Sequence, residues 1–297
     1  MSSPGSALRA RARKGHTKPR LYTPPLPANC NRYAEVQCAC GCGLNPESSW
    51  GFDCIAFLER VLRWTLLPWQ KWLYIHALEK HPDRAGTPLD RHGYRFFTLV
   101  ILIARQNGKT QWLKGLGLWR LYLDGAKLVV ISAQKLDFAE ATLAEVVGDI
   151  TLTPLLRKEF RRFSQTNGKF KLILKPLRHD PLQEERVWRA VVADPGGGRS
   201  LSVDLAMLDE LRQHKNWAAF NSIKPTLTAV DRSLLVCASN AGEAGSVVLN
   251  SLQDRAAARI LTGQTEDDTT FLAEWSIPMD ADYLDPATTA VVSIDMH

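Results

Sequence analysis

Ala104-Arg105-Gln106-Asn107-Gly108-Lys109-Thr110 is the stretch on which the reading of this chain turns. It follows Phe96-Phe97-Thr98-Leu99-Val100-Ile101-Leu102-Ile103, an almost unbroken apolar run rich in β-branched residues, the pattern of a strand buried on both faces. It leads into a helical stretch running from Thr110 to about Leu123. A polar, glycine-containing loop between a buried strand and a helix is the setting of a phosphate-binding loop. Gly108 lets the backbone approach an anion, and the N–H groups that open a helix point at phosphate oxygens. Lys109 then reaches the β- and γ-phosphates, and Thr110 offers its hydroxyl to Mg²⁺. The full pattern also has a glycine five residues before Gly108, where this sequence has Ile103. A bare Gly-Lys-Thr is common, so the strand–loop–helix setting carries the weight.

Outward from that loop, Leu128-Val129-Val130-Ile131-Ser132 reads as a second buried strand and Asp137 to Ile150 as a second helix. Further apolar stretches lie at Val187–Val192, Leu205–Leu208 and Leu234–Ala238. Upstream, helical periodicity begins near Asp53 (Ile55, Phe57, Leu58, Val61, Leu62, Trp64) and resumes after Pro68 (Trp69, Trp72, Leu73, Ile75, His76, Leu78). Buried strands alternating with helices predict an α/β fold, a mainly parallel sheet with helices on both faces. Leu205-Ala206-Met207-Leu208 ends in two adjacent carboxylates. At such a strand tip Asp209 would hold Mg²⁺, directly or through water, and Glu210 would polarise an attacking water. An acidic pair closing a strand is frequent by itself. Two such motifs, in this order and both at carboxyl ends of buried strands, predict a P-loop NTPase of the ASCE, RecA-like class. Leu234-Leu235-Val236-Cys237-Ala238 running into Ser239-Asn240-Ala241-Gly242 fits a strand that ends near a γ-phosphate. Alone it would read as an ordinary core strand and turn. Gln70 offers an amide that could pair with an adenine edge, though alone it would read as a surface residue.

Composition narrows the class. The 297 residues are 45% hydrophobic and 23% charged, which excludes fibrous and globally disordered proteins. The longest apolar run is far short of the roughly 20 residues of a membrane span, and the N-terminus has no apolar core of a secretory signal. A soluble, cytoplasmic protein is therefore expected. The net charge of +6 resides in Arg9, Arg11, Arg13, Lys14, Lys18 and Arg20; without these six the balance is 31 basic to 31 acidic residues. Such a block is either a solvated tail or an arm for a polyanion. Five of six cysteines fall in one window: Cys30, Cys38, Cys40, Cys42 and Cys54. They compete for the four places of a structural Zn²⁺ site, or they form a loop of reduced thiols with Cys54 buried at a helix start. Cys237 reads as core. The organisation expected is a basic, proline-rich, disordered lead-in at 1–29 and a Cys-rich segment at 30–54. An ATPase domain at 55–265 and a linker or tail at 266–297 follow.

As a set these residues resemble the large terminase subunit of tailed phages and prophages, the DNA-packaging motor. The matching stretches are Leu-Pro-Trp-Gln at 67–70, Ala-Arg-Gln-Asn-Gly-Lys-Thr at 104–110, and Val-Val-Ile-Ser-Ala-Gln at 129–134 with Ala139 and Ala141. Trp188-Arg189-Ala190 with Gly198, Leu-Asp-Glu-Leu at 208–211 and Ala-Ser-Asn-Ala-Gly at 238–242 complete the series, in family order over roughly 50–265. The absent first glycine and the arginine within the loop are usual in that family. The resemblance implies that Gln70 contacts adenine and that Arg105, Gln106, Asn107, Gly108, Lys109 and Thr110 hold phosphates and Mg²⁺. It makes Asp209 and Glu210 the Walker B pair and puts Ser239 and Asn240 in the coupling motif, with Glu210 and Arg105 catalytic. It also implies ATP as substrate, double-stranded DNA, portal protein and a small terminase subunit as partners, and a homo-oligomeric ring on the portal. The host cytoplasm is the implied location. The family's C-terminal nuclease is expected to be missing from this chain, and Asp282, Asp285 and Asp295 are not read as its ligands. Two rivals remain. A helicase-like DNA translocase would need a second RecA-like domain, and a non-enzymatic nucleic-acid-binding scaffold would not need Lys109, Thr110, Asp209 and Glu210 intact.

Overall fold

The computed structural model describes residues 16–81, 93–133, 136–166, 169–178, 180, 182–192, 202–230, 232–265 and 269–277. Its strands are β1 (Leu21–Tyr22), β2 (Thr98–Leu102), β3 (Leu128–Ala133), β4 (Phe160–Thr166) and β5 (Lys169–Leu174). They continue with β6 (Arg186–Val192), β7 (Leu205–Asp209), β8 (Leu234–Ser239) and β9 (Thr270–Glu274). Among the described residues they form one nine-stranded sheet, in the order β1-β9-β2-β8-β7-β3-β6-β5-β4. The six strands from β9 to β6 pair in parallel, while β1, β4 and β5 add antiparallel margins. The helices are α1 (Gly51–Arg60), α2 (Pro68–Ala77), α3 (Lys109–Tyr122), α4 (Leu136–Leu152), α5 (Pro154–Arg157), α6 (Ala218–Leu227) and α7 (Val247–Leu261).

The continuous apolar runs follow from this layering. Leu99, Ile101, Val129, Ile131, Leu205, Met207 and Val236 point into one core, where Trp69, Trp72, Trp112 and Leu143 from α2, α3 and α4 meet them. Val100, Leu102, Val130, Leu208, Leu235 and Cys237 point into the other, beneath Phe220, Ile223, Val248 and Leu249 of α6 and α7. Each such side chain contributes about 1.5–3 kcal/mol relative to exposure, so every inner strand is held from both sides.

The margins differ from the sequence reading. Tyr22 pairs with Ala273 and Leu21 with Glu274, while β9 lies beside β2 with Thr98 opposite Thr270. Part of the lead-in at 1–29 and part of the tail at 266–297 are thus strands of the main sheet, and the domain limit expected at 265 falls short of β9. The physical reason is that β2 would otherwise present an unpaired, apolar edge. A buried ion pair reinforces this margin: Arg95 Nη1 lies 2.7 Å from Glu79 Oε2, both side chains 1% exposed. Glu79 Oε1 accepts from Leu26 N–H and Asn29 Nδ2, and Arg95 Nη2 donates to Thr265 O. β4 and β5 were not expected from the sequence. Arg9, Arg11, Arg13, Lys14, Gln134, Gly198, Asp282, Asp285 and Asp295 lie outside the described residues.

Candidate nucleotide-binding site

The sheet order positions the chemistry. β8 lies between β2, which feeds the loop 103–108, and β7, which ends in Asp209. At the carboxyl ends of these strands Ala104, Arg105, Gly108, Lys109, Thr110, Asp209, Glu210, Arg212 and Asn240 line a cavity of ≈ 580 Å³, closed on one side by Phe138, Thr142 and Glu145 of α4. That is where open α/β sheets take ligands.

The loop is held in shape by its own residues. Gln106 and Gly108 have left-handed backbone angles (φ 60° and 81°), and the Asn107 amide donates to Ala104 O and Arg105 O. Gly108 is the residue before the first turn of α3. A Cβ there would lie 3.0 Å from Gln70 Nε2, so glycine answers both the backbone angle and the close approach. Lys109 and Thr110 open the helix and line the cavity, the position from which first-turn N–H groups can meet an anion.

Lys109 joins the two sequence motifs. Its Nζ lies 2.8 Å from Asp209 Oδ1 and 2.8 Å from Glu210 Oε1, although these residues are a hundred positions away in sequence. Arg212 Nε donates to the other Glu210 oxygen at 2.9 Å. Glu210 itself has φ 58°, and its N–H donates to Asp209 Oδ1. Burial pushes the Glu210 carboxyl up, but Lys109 and Arg212 outweigh it and hold the group below its ordinary value. Ser239 Oγ accepts from Arg212 N–H at 3.0 Å, and Ile103 N–H donates to Ser239 O. With its nitrogen turned to Ile103 O (3.1 Å), the Asn240 amide offers its oxygen to Arg105 Nε (3.1 Å). The strand end at 239–240 therefore touches both the phosphate loop and the carboxylate loop.

Gln70 falls beside the loop, though not as a free amide. Its Oε1 accepts from Leu67 N–H and its Nε2 donates to Gly108 O, with the side chain buried. It caps α2 and braces the phosphate loop. Arg212 is the functional neighbour that sequence reading passed over; its place two residues after Glu210 was the available signal.

The cysteine window separates into three environments. Cys38, Cys40 and Cys42 come together with His76 of α2, their ligand atoms all within 4.8 Å of one another, and this Cys₃His cluster could hold a metal ion. Hydrogen bonds shared among the three thiols hold Cys40 below its ordinary value and push Cys38 above it. Cys54 is not part of the cluster: it is fully buried in the first turn of α1. Cys30 is also apart, its thiol turned to Leu26 O. His76 was missed because it reads as one more position on the apolar stripe of α2.

Strand order, phosphate loop and carboxylate pair together define the fold of a P-loop NTPase of the ASCE class. The fold is similar to that of a solved large terminase. The chain matches the crystal structure of the HK97 bacteriophage large terminase with a TM-score of 0.59 at 22% identity, over 79% of this chain and 45% of that one. It also matches the ATPase domain of the Thermus phage P74-26 large terminase (TM-score 0.43, 18% identity, 63% and 74% covered). A third match is the Phi-28 gp11 DNA packaging motor (TM-score 0.37, 11% identity, 65% and 60% covered). The chain thus spans less than half the length of the HK97 protein. No protein-family model and no curated protein matches the sequence. Among the described residues, no helix is long and apolar enough to cross a membrane.

Proposed function

We propose that this chain is the ATPase portion of a large terminase subunit and hydrolyses ATP to drive double-stranded DNA into a procapsid. The observation that carries the proposal is the position of Lys109, at 2.8 Å from both Asp209 and Glu210, on a sheet with the HK97 terminase fold. The donor set fits a magnesium nucleotide: a left-handed glycine before a helix, a lysine, a hydroxyl and a carboxylate line one cavity. Thr110 and Asp209 would hold Mg²⁺, which when bound offsets phosphate charge. Lys109 would exchange its carboxylate contacts for phosphate oxygens, and Glu210 would then orient and deprotonate the attacking water. Arg105, held by Asn240 at the end of β8, would pair with phosphate, and its movement would pull on that strand. Gln70 supports the loop through its buried amide, and the adenine contact that the resemblance implies would need that amide to turn out of its bonds to Leu67 and Gly108. Portal protein, a small terminase subunit, a homo-oligomeric ring on the portal and the host cytoplasm belong to the same proposal.

The test is ATP hydrolysis by the purified chain alone, with DNA, and with DNA and portal. Hydrolysis stimulated by portal and DNA together supports packaging. Stimulation by DNA alone favours a helicase-like translocase, and the absence of nucleotide binding overturns the enzymatic reading.

A further inference from the structure

Three thiols and one imidazole meet where the chain had no local reason to gather them. His76 Nε2 lies 3.7 Å from Cys38 Sγ, 3.4 Å from Cys40 Sγ and 3.6 Å from Cys42 Sγ, and the Cys38 and Cys40 sulfurs are 3.3 Å apart. A tetrahedral Zn²⁺ with Zn–S of about 2.3 Å and Zn–N of about 2.0–2.1 Å sets its sulfur and nitrogen ligands about 3.6 Å apart. Three observed separations bracket that value. The Cys38–Cys40 spacing exceeds by far the roughly 2.05 Å of a disulfide, and all three cysteines are free.

The surroundings are built for such a site. The loop is folded back by hydrogen bonds from Cys38 N–H to Leu44 O and from Gly41 N–H to Cys38 O. Gly41 and Gly43 have φ 73° and 89°, and a Cβ on Gly43 would lie 2.9 Å from the Asn31 backbone nitrogen. This turn brings alternate side chains to one point, which a strand-like Cys-x-Cys-x-Cys would also do, but here opposite a buried histidine. The His76 ring is stacked on Trp72 (centroids 4.0 Å apart, 18° between planes) with Tyr22 at its edge. A fixed ring and an apolar floor are what orient a metal ligand and keep water out. Four protein ligands leave no open position, so the site is structural rather than catalytic, and thiolate with imidazole selects zinc over harder cations.

Its location gives it a second consequence. His76 is in the last turn of α2 and Gln70 in its first, about 9 Å apart along the axis. Gln70 Nε2 donates to Gly108 O, and Tyr74 Oη between them donates to Trp112 O of α3. We infer that Cys38, Cys40, Cys42 and His76 bind one structural zinc ion that fastens the N-terminal segment to α2. Through Gln70 and Tyr74 the same helix sets the position of the phosphate loop. The site does not depend on the ATPase reading; only the meaning of the loop it braces does.

The test uses the full chain purified without chelators. Elemental analysis should find one equivalent of zinc, retained in Cys30→Ser and lost in His76→Ala. Because His76→Ala could fold poorly, the wild-type chain is also titrated with an organomercurial, which should release the zinc as three thiols react. Cobalt exchanged into the site should show thiolate-to-cobalt charge-transfer bands. Hydrogen exchange, read without nucleotide, should be several-fold faster after chelation in peptides covering 67–80 and 104–112, and unchanged in 160–174. Protein that carries no zinc and takes up none on dialysis overturns the site. Zinc release that leaves exchange at 104–112 unaltered overturns the bracing. Loss of ATP hydrolysis with zinc still bound would count against the ATPase assignment alone.

Discussion

Glu210 holds a left-handed backbone angle that costs a non-glycine residue of order 1–3 kcal/mol, and two cations grip its carboxylate. The strain is explained by what it achieves: the turn after β7 aims the carboxylate at Lys109 instead of along the strand. Glu210→Gln keeps the shape and removes the proposed base, so turnover should fall roughly 10²-fold or more while calorimetry still shows nucleotide binding. Unchanged turnover would remove Glu210 from the mechanism. The pH dependence has a definite sign. Because Lys109 and Arg212 outweigh burial and depress its pKa, the carboxylate contributes stability above the ordinary glutamate range. That contribution is lost as pH falls through the depressed value, so Glu210→Gln should flatten the acid side of a melting-temperature profile. Lys109→Ala should weaken nucleotide binding itself, since in the proposed site its charge passes from Asp209 and Glu210 to the phosphates. Arg105→Lys should rescue poorly, because the Asn240 amide oxygen accepts from a guanidinium Nε that lysine lacks; full turnover in that variant would reduce Arg105 to a simple charge.

At the scale of elements, α3 has two glycines, and both are contact surfaces. A Cβ on Gly117 would meet the Trp188 ring at 2.3 Å, and one on Gly115 would meet Tyr74 Oη at 2.3 Å. Alanine gains about 1 kcal/mol of helix propensity over glycine, but Trp188 is fully buried on β6 and has no room to retreat. Gly117→Ala should therefore lose about 1–3 kcal/mol net, measured as a lower denaturant midpoint; a rise would mean that the sheet yields. The same packing explains which elements could be read in advance. β2, β3, β7 and β8 announce themselves because both faces are buried, and the helix after Gly108 follows from its loop. β4 and β5 were invisible: Phe160-Arg161-Arg162-Phe163-Ser164-Gln165 has charges at an exposed margin and no apolar run. β9 is five residues of mixed character whose strand state comes from β2 beside it. Within the site, Lys109, Asp209 and Glu210 were legible as adjacent motifs. His76 was not, because its partners are set by tertiary contact, 34 residues from Cys42; Arg212 was passed over because it is the left-handed turn at Glu210 that folds it back onto a carboxylate only two residues before it.

Across the whole molecule, the Glu79–Arg95 pair ties together the lead-in at Leu26, the end of α2 and the turn at Thr265. Removing one partner from a buried pair leaves an uncompensated charge, so Glu79→Ala should cost about 3–5 kcal/mol. Replacing both with apolar residues of similar volume should recover much of that loss in chemical denaturation; equal losses in single and double variants would show that the backbone bonds, not the charges, matter. The pairing of β1 with β9 has a mechanical meaning as well. Tyr22 faces Ala273 and Leu21 faces Glu274, so the chain before β1 and the chain after β9 leave the sheet at the same corner, where Arg20 meets Glu274 and Trp275 Nε1 donates to His16 O. Tension applied between residues 17 and 277 would load these bonds one after another, as a zipper opens, and never together in shear. In an optical-tweezers experiment that attachment should rupture first by release of β1 at low force, with the parallel strands beneath still intact, whereas handles on β2 and β6 would have to shear the sheet.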